Sequence, residues 1–207
     1  MHHFEALRGV AIVGFCLAAS LIFIASPKAY CNPVVSSQQG LVQEISGDTG
    51  SPALLQKAEA GDKKAQYRLA IAYQEGRGVE KNYFEAAKWY RRSADQGFAA
   101  AQSALGFYYR HGLGLPRDAI EAVHWYRVAA EQDWPSAENN LGVAYTDGIG
   151  VARDYRLAFE WFSRAAKHGV STAYHGLGTL YLTGNGTRQD YAKAVAFGNL
   201  VWPTLAV

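Results

Sequence analysis

Small and apolar residues between positions 63 and 98 follow the spacing of two amphipathic helices. At about 100° per residue, one side of the first helix collects a set of such residues: Ala65, Leu69, Ala70 and Tyr73. The second helix collects an equivalent set: Ala86, Trp89, Tyr90 and Ala94. Charged residues such as Lys64, Glu85 and Lys88 lie between them. The pattern therefore predicts a helical hairpin whose two apolar faces are buried.

The same hairpin pattern returns three more times, shifted each time by 36 residues and without a gap. An alanine of the first helix recurs at four equivalent positions: Ala65, Ala101, Ala137 and Ala173. The tryptophan of the second helix recurs likewise, with phenylalanine in the fourth repeat: Trp89, Trp125, Trp161 and Phe197. A period between about 20 and 50 residues indicates stacked repeats that bury each other's apolar faces. The sequence thus predicts an all-α solenoid with its tryptophans buried between hairpins, and a function that depends on a surface.

Turn-forming residues at fixed positions predict where the helices begin and end. The first helix of the first repeat should run over residues 63–75 and end at Gly76, which supplies a left-handed backbone. Asn82 should cap the second helix, and aspartate takes this place in the later repeats: Asp118, Asp154 and Asp190. Gly97 and Gly169 should close second helices, with Asp133 in the equivalent place of the second repeat.

The repeat register divides the chain into segments. Four repeats are predicted, the last with a divergent C-terminus: 63–98, 99–134, 135–170 and 171–207. Residues 52–62 match the second half of a repeat and predict an N-terminal capping half-repeat. Residues 31–51 are polar, rich in Ser, Gln and Gly, and predict a flexible leader.

The C-terminus departs from the repeat pattern, with no charged residue after Lys193. Pro203 should stop the last helix near Val201. Trp202 and Leu205 would then fold back onto the stack, meet another chain, or mark the end of a truncated longer array. We expect an association surface here, with self-association through the C-terminus, and the truncation alternative stays open.

The N-terminal 30 residues predict export. Arg8 precedes an apolar run over residues 9–26, which indicates a secretory signal peptide. Because 18 helical residues rise about 27 Å, an uncleaved membrane anchor is the alternative. We expect a periplasmic or secreted protein that touches a membrane only if this segment is retained. Cleavage would leave Cys31 as the one cysteine of the mature chain, so no internal disulfide could form.

Charge and motif content argue against nucleic-acid binding and against catalysis. From residue 31 onward, 18 Lys and Arg face 17 Asp and Glu, with no basic stripe. Four histidines form no pair at metal-ligand spacing: His111, His124, His168 and His175. The recurring Gly-x-Gly has no third glycine and follows no predicted strand, so it indicates a turn rather than a nucleotide loop. We therefore expect a protein that binds no cofactor and no metal and is not an enzyme.

The repeated stretch AQYRLAIAYQEGRGVEKNYFEAAKWYRRSADQG, residues 65–97, resembles the Sel-one-like repeat family, a branch of the tetratricopeptide-like superfamily. The resemblance implies a right-handed α-solenoid of helix-turn-helix repeats. It also implies a non-catalytic scaffold for protein interactions in the bacterial cell envelope or secretory pathway. Some cysteine-rich relatives are linked to lactam hydrolysis or penicillin binding, but their paired cysteines are missing here, so the hydrolase alternative is the weaker one.

One row of the first helices varies between repeats while the core positions stay the same. We call this set the first-helix row: Tyr67, Ile71, Gln74, Ser103, Phe107, Arg110, Asn139, Val143, Thr146, His175, Thr179 and Leu182. In tetratricopeptide-like stacks the first helices line a concave groove, so we expect a partner protein or peptide to bind here. Tyr67, Ile71 and Phe107 favour binding because they are apolar and predicted to face away from the core. Two alternatives are that these are unconstrained solvated positions, and that the protein is an assembly subunit that associates through its repeat ends.

Overall fold

The computed structural model of the protein describes residues 50–201, with side chains as far as residue 198. The predicted signal segment, almost all of the predicted leader and the residues after Val201 lie outside this range. Within it, every regular element is an α-helix. In chain order the helices are α1 Pro52–Glu59, α2 Lys63–Glu75, α3 Tyr83–Asp95, α4 Ala99–His111, α5 Ala119–Ala130, α6 Pro135–Asp147, α7 Tyr155–Lys167, α8 Ser171–Thr183 and α9 Tyr191–Val201.

The helices form a stack of hairpins. Each first helix packs against the second helix of its own repeat, as α2 does against α3 and α4 against α5. Each second helix also packs against the first helix of the following repeat. Contacts between elements therefore run mainly from neighbour to neighbour along the chain, with a smaller set between the first helices α6 and α8, which makes the fold an α-solenoid.

Local capping chemistry sets the helix ends as the sequence predicts. The side-chain oxygen of Asn82 accepts hydrogen bonds from the backbone N–H groups of Phe84 and Glu85, and aspartates do the same at α5 and α7. Gly76 ends α2 in the left-handed conformation, with φ of 75°. Asp133, in the place that Gly97 takes one repeat earlier, also has a positive φ of 55°. A non-glycine residue accepts this conformation at a cost, and aspartate tolerates it better than most.

The core consists of the predicted small and aromatic residues, with one difference. Tyr90, Trp89 and Trp125 are buried, at 0%, 5% and 9% exposure. Trp161 is only half-buried. The guanidinium over the Trp125 ring belongs to Arg91 of the preceding repeat, at 5.2 Å from the ring centroid. The one over the Trp161 ring belongs to Arg164 of its own helix, at 4.7 Å.

The second glycine of the Gly-x-Gly loop in the second, third and fourth repeats makes a contact that the sequence did not reveal. The loop presses its backbone against the start of the second helix in the preceding repeat. A Cβ atom at Gly150 would lie 2.0 Å from the carbonyl oxygen of Ala119, and one at Gly114 would lie 2.3 Å from that of Tyr83. Since real Cβ atoms do not approach backbone so closely, these glycines are required for repeats to pack as well as for the turn.

Candidate functional site

The first-helix row is not one uniform surface. Four of its members are buried, at 6%, 3%, 3% and 5% exposure: Tyr67, Ile71, Ser103 and Asn139. The expectation that Tyr67 and Ile71 face away from the core is wrong, because both belong to the hydrophobic cluster of the first repeats. These four residues are not accessible to a ligand in this structure.

The following repeat covers these positions. The Tyr67 ring packs edge-on against Phe98, with 5.2 Å between centroids, and against Tyr90 at 5.7 Å. Thr172 donates a hydrogen bond to the side-chain oxygen of Asn139 over 3.1 Å. Phe98 directly precedes the first helix of the second repeat, and Thr172 lies in the repeat after Asn139, so contacts made at the start of the following repeat bury these side chains.

The remaining eight members form the accessible row. Five are half-buried: Gln74, Phe107, Arg110, Val143 and Thr146. Three in the fourth repeat are exposed: His175, Thr179 and Leu182. The row therefore brings together an aromatic ring, a guanidinium, an amide and a hydroxyl along the first three repeats, and its exposure rises in the fourth.

Gln74 is held in place by two buried tyrosines. Its side-chain oxygen accepts hydrogen bonds from the Tyr90 hydroxyl at 2.9 Å and the Tyr108 hydroxyl at 3.0 Å. Burial raises the pKa of Tyr67 to about 12 and raises the pKa of Tyr90 and Tyr108 as well, so all three phenols stay protonated at neutral pH. With its oxygen occupied, Gln74 offers a ligand its amide nitrogen as a donor.

The second repeat supplies positive charge beside the accessible row. The Phe107 ring lies against the His111 ring, with 4.3 Å between centroids. Partial burial lowers the pKa of His111, and the charges of Arg110 and Arg117 lower it further. His111 is therefore neutral at neutral pH and acts as part of an aromatic platform. Cationic groups beside an aromatic platform suit an apolar side chain followed or preceded by a carboxylate.

A buried charge at the junction of the second and third repeats escaped sequence reasoning. Glu138 on α6 is fully buried, with Oε1 3.0 Å from Nε of Arg164 and Oε2 3.7 Å from Nε2 of His168. Arg164 also donates to the backbone oxygen of Ala130 at 3.2 Å and to the Asp133 carboxylate at 2.9 Å. Burial is the largest influence on the pKa of Glu138 and raises it, Arg164 and His168 oppose that shift, and Asp133 adds to it.

Earlier repeats hold uncharged pairs in these same positions. The side chains of Gln66 and Gln96 are joined by a 2.7 Å hydrogen bond, and so are those of Gln102 and Gln132. Glutamate and histidine replace the two glutamines in the third repeat. Aligning the repeats shows this difference in residue type. Only the structure shows that the position is buried.

Neither a metal-binding cluster nor a membrane-spanning helix is found in the described part of the chain. Between residues 50 and 201, no three His, Cys, Asp or Glu side chains are placed to hold a metal ion. No helix in that range is long and apolar enough to cross a bilayer.

Repeated hairpins whose interface residues recur in register define an α-solenoid of the tetratricopeptide-like class. A family model described as Sel1 repeat matches the chain over residues 63–98, 99–134, 135–170 and 171–197. The chain belongs to the Sel1 repeat family. Sel1 repeat proteins are generally scaffolds for protein–protein interaction and are typically not catalytic.

Solved structures with the same fold come from several bacteria. One is a protective antigen present in uropathogenic Escherichia coli strains, which displays an SLR fold; it is 36% identical with a TM-score of 0.70, over 73% of this chain and 32% of that chain. A Sel1 repeat protein from Oxalobacter formigenes is 41% identical with a TM-score of 0.65, over 68% and 56% of the two chains. A putative Sel1 repeat protein from Klebsiella pneumoniae is 25% identical with a TM-score of 0.57, over 74% of each.

This chain thus spans about a third of the length of the Escherichia coli protein and just over half of the Oxalobacter protein. No curated protein matches it significantly.

Proposed function

We propose that this protein is a non-catalytic adaptor that binds a partner protein or peptide along the accessible row. The proposal rests on a contrast between the core positions of the repeats and the positions of the accessible row. Core positions such as Leu69, Leu105 and Leu141 keep one residue type, whereas the accessible row places different side chains in successive repeats: Gln74, Phe107, Arg110 and Thr146. Varied side chains on a repeated backbone are how solenoid proteins distinguish one partner from another.

The chemistry of the second repeat narrows the ligand class. Phe107 and His111 supply an aromatic platform, and Arg110 and Arg117 supply positive charge beside it. We expect an extended peptide segment with an apolar or aromatic residue next to an acidic one. Gln74 would donate a hydrogen bond to a backbone or side-chain oxygen of that segment.

The double variant Phe107→Ala/Arg110→Ala tests this proposal. A displayed peptide library is first selected on the wild-type chain, and the affinity of the enriched peptides is measured by fluorescence polarisation. The double variant should bind them at least about tenfold more weakly, because it removes an aromatic anchor and a charge. Its helical circular dichroism and melting temperature should stay close to wild type, since both side chains are only half-buried.

Ile120→Ala is the matched control. Ile120 is an apolar side chain with 73% exposure on α5, outside the row. Its removal should leave peptide affinity unchanged. Undiminished binding by the double variant, or equal losses in both variants, would reject the accessible row as the binding surface.

We further propose that the protein acts in the bacterial cell envelope or secretory pathway. This rests on the Arg8-led apolar run over residues 9–26 and on the polar stretch that follows it, both read from the sequence.

A further inference from the structure

One side-chain hydrogen bond recurs at the junctions between repeats. A residue near the start of a first helix donates it to a backbone oxygen at the end of the helix before. The bond joins three equivalent pairs: Gln66 to Ala58 at 3.0 Å, Gln102 to Ala94 at 3.1 Å, and Tyr174 to Ala166 at 2.8 Å. These three junctions therefore place a side-chain donor at the same point.

The junction between the second and third repeats cannot form this bond while Glu138 is ionised. Glu138 occupies the position of Gln66 and Gln102, and a carboxylate has no proton to donate. Arg164 of α7 supplies the donor instead, with a guanidinium nitrogen 3.2 Å from the Ala130 oxygen. Its Nε lies 3.0 Å from Oε1 of Glu138. The guanidinium thus replaces the missing donor and also pairs with the buried charge.

A second hydrogen bond of the earlier repeats is also altered here. The side chain of Gln132 donates to the side-chain oxygen of Gln102 over 2.7 Å, and the first repeat has the equivalent bond. His168 takes the position of Gln132 in the third repeat, but its Nε2 lies 3.7 Å from Oε2 of Glu138. That distance is too long for a hydrogen bond. Glu138 therefore differs from Gln102 in both of its contacts.

A protonated Glu138 can make both of these bonds. A carboxylic acid has the length of a glutamine amide, and it presents one donor and one acceptor. Its hydroxyl can donate to the Ala130 oxygen, and its carbonyl oxygen can accept from Nε2–H of His168. Glu138 would then be bonded as Gln102 is, without a guanidinium.

We propose that this junction is a proton-operated switch between two bonding arrangements. With Glu138 ionised, Arg164 bonds to it and to Ala130, as in the structure. With Glu138 protonated, Glu138 donates to Ala130 and accepts from His168. Arg164 then turns towards water, to which its side chain is already 40% exposed. Protonation therefore removes the guanidinium link from α7 to the end of α5.

The switch lies on a helix that contributes to the accessible row. Glu138 is near the start of α6, and Val143 and Thr146 of the row lie further along the same helix. The inference goes beyond the proposed function, because it requires no bound peptide and concerns hydrogen bonds within the chain. Either proposal can therefore fail alone.

The groups around Glu138 set the pH at which the switch operates. Burial has the largest influence on the pKa of Glu138 and raises it. Arg164 and His168 on α7 lower this pKa, and Asp133 in the turn between α5 and α6 raises it. From α8, the uncharged Thr172 hydroxyl bonds to the next residue of α6. Acidification therefore moves the junction from the Arg164 arrangement to the His168 arrangement.

An NMR titration of the isotope-labelled full chain tests the switch. The Glu138 carboxyl signal is identified by its loss in Glu138→Gln. The Arg164 Nε–H signal and the Ala130 carbonyl signal should shift with the same midpoint as that carboxyl. His168→Gln should move the midpoint to higher pH, because it removes an opposing cation and keeps a donor. Asp133→Asn should move it to lower pH, because it removes a neighbouring anion.

Glu138→Gln also gives a test that needs no acid, because the amide reproduces the bonding of the protonated side chain. At pH 7 this variant should shift the Arg164 and Ala130 signals, and the Arg164 Nε–H should exchange with water at least about tenfold faster than in wild type. Asp147→Asn is the matched control, since it removes an exposed carboxylate at the other end of α6 and should change neither signal.

Two results would overturn the proposal. One is a Glu138→Gln variant whose Arg164 signal and exchange rate match wild type at pH 7, whether or not the wild-type chain stays folded in acid. The other is a Glu138 carboxyl that titrates while the Arg164 and Ala130 signals stay fixed.

Discussion

At the scale of single residues, Glu138 shows that a charge can sit inside the stack and depend on its neighbours. Its raised pKa means that the carboxyl group binds its proton more tightly in the folded protein than in the unfolded chain. The stability that this preference contributes is present below the ordinary carboxyl pKa of about 4.5 and is lost as pH rises through the raised folded value. At neutral pH the ionised carboxylate is buried and depends on Arg164, a side chain that is itself 40% exposed.

Glu138→Gln should therefore stabilise the protein at pH 7 by about 1 kcal/mol and change its stability little near pH 4. The variant removes the buried charge and restores the amide that Gln66 and Gln102 place at this position, where each donates to a backbone carbonyl. Arg164 can turn into water. Urea unfolding at the two pH values measures the difference.

The reverse change is the matched control. Gln102→Glu should destabilise the protein at pH 7, because Val128 stands where Arg164 stands one repeat later and no guanidinium can pair with the new carboxylate. If Glu138→Gln instead lowers stability at pH 7, the ion pair with Arg164 outweighs the cost of burial.

At the scale of helices and loops, the local features were predictable and the non-local ones were not. The bounds of α2, the caps at Asn82 and Asp118 and the turn at Gly76 follow from short-range chemistry, and the structure confirms them. The burial of Tyr67 was missed because Phe98, 31 positions further along, covers it. Helical periodicity indicates which side of a helix faces its own hairpin, but not which side the next repeat covers.

The tryptophan positions differ in burial, and stability should reflect this. Trp125→Ala should cost about 3 to 5 kcal/mol of unfolding free energy, because it removes a large buried ring. Trp161→Ala should cost clearly less, since that ring is half-buried. Equal losses in denaturant unfolding would show that exposure of the ring does not determine its contribution.

Two glycines with the same backbone conformation allow the cost of backbone strain to be measured separately from the cost of a clash between repeats. Gly97 and Gly150 have nearly the same φ, 75° and 74°, but a Cβ meets nothing within 4 Å at Gly97 and lies 2.0 Å from the Ala119 oxygen at Gly150. Gly97→Ala should therefore cost only the strain of a left-handed alanine, about 1 to 2 kcal/mol. Gly150→Ala should cost at least twice as much in the same unfolding assay. Similar costs would mean that the loop shifts away without loss.

At the scale of the whole molecule, stability is distributed over similar junctions rather than concentrated in one centre. Each repeat contacts chiefly its sequence neighbours. Such a stack behaves as a row of coupled units, so an altered junction weakens the molecule locally. The accessible row, which crosses several junctions, depends on all of them for its alignment.

Export is the prediction that concerns the N-terminal segment. A reporter enzyme fused after Ser51, and active only outside the cytoplasm, should be active, because the Arg8-led apolar run would carry it across the membrane. Replacing two apolar residues of that run, Val13→Asp and Leu17→Asp, should abolish the activity. A reporter that stays in the cytoplasm with the wild-type segment would reject export in this orientation.

The contact between each glycine loop and the preceding helix has a consequence for the gene. Gly114, Gly150 and Gly186 make the same approach to the repeat before them, so the junctions are geometrically interchangeable. Unequal recombination between two equivalent codons would add or delete one whole 36-residue unit and still join a loop to a helix start that accepts it. The length of such an array can therefore change by whole units during evolution without a compensating change at the new junction.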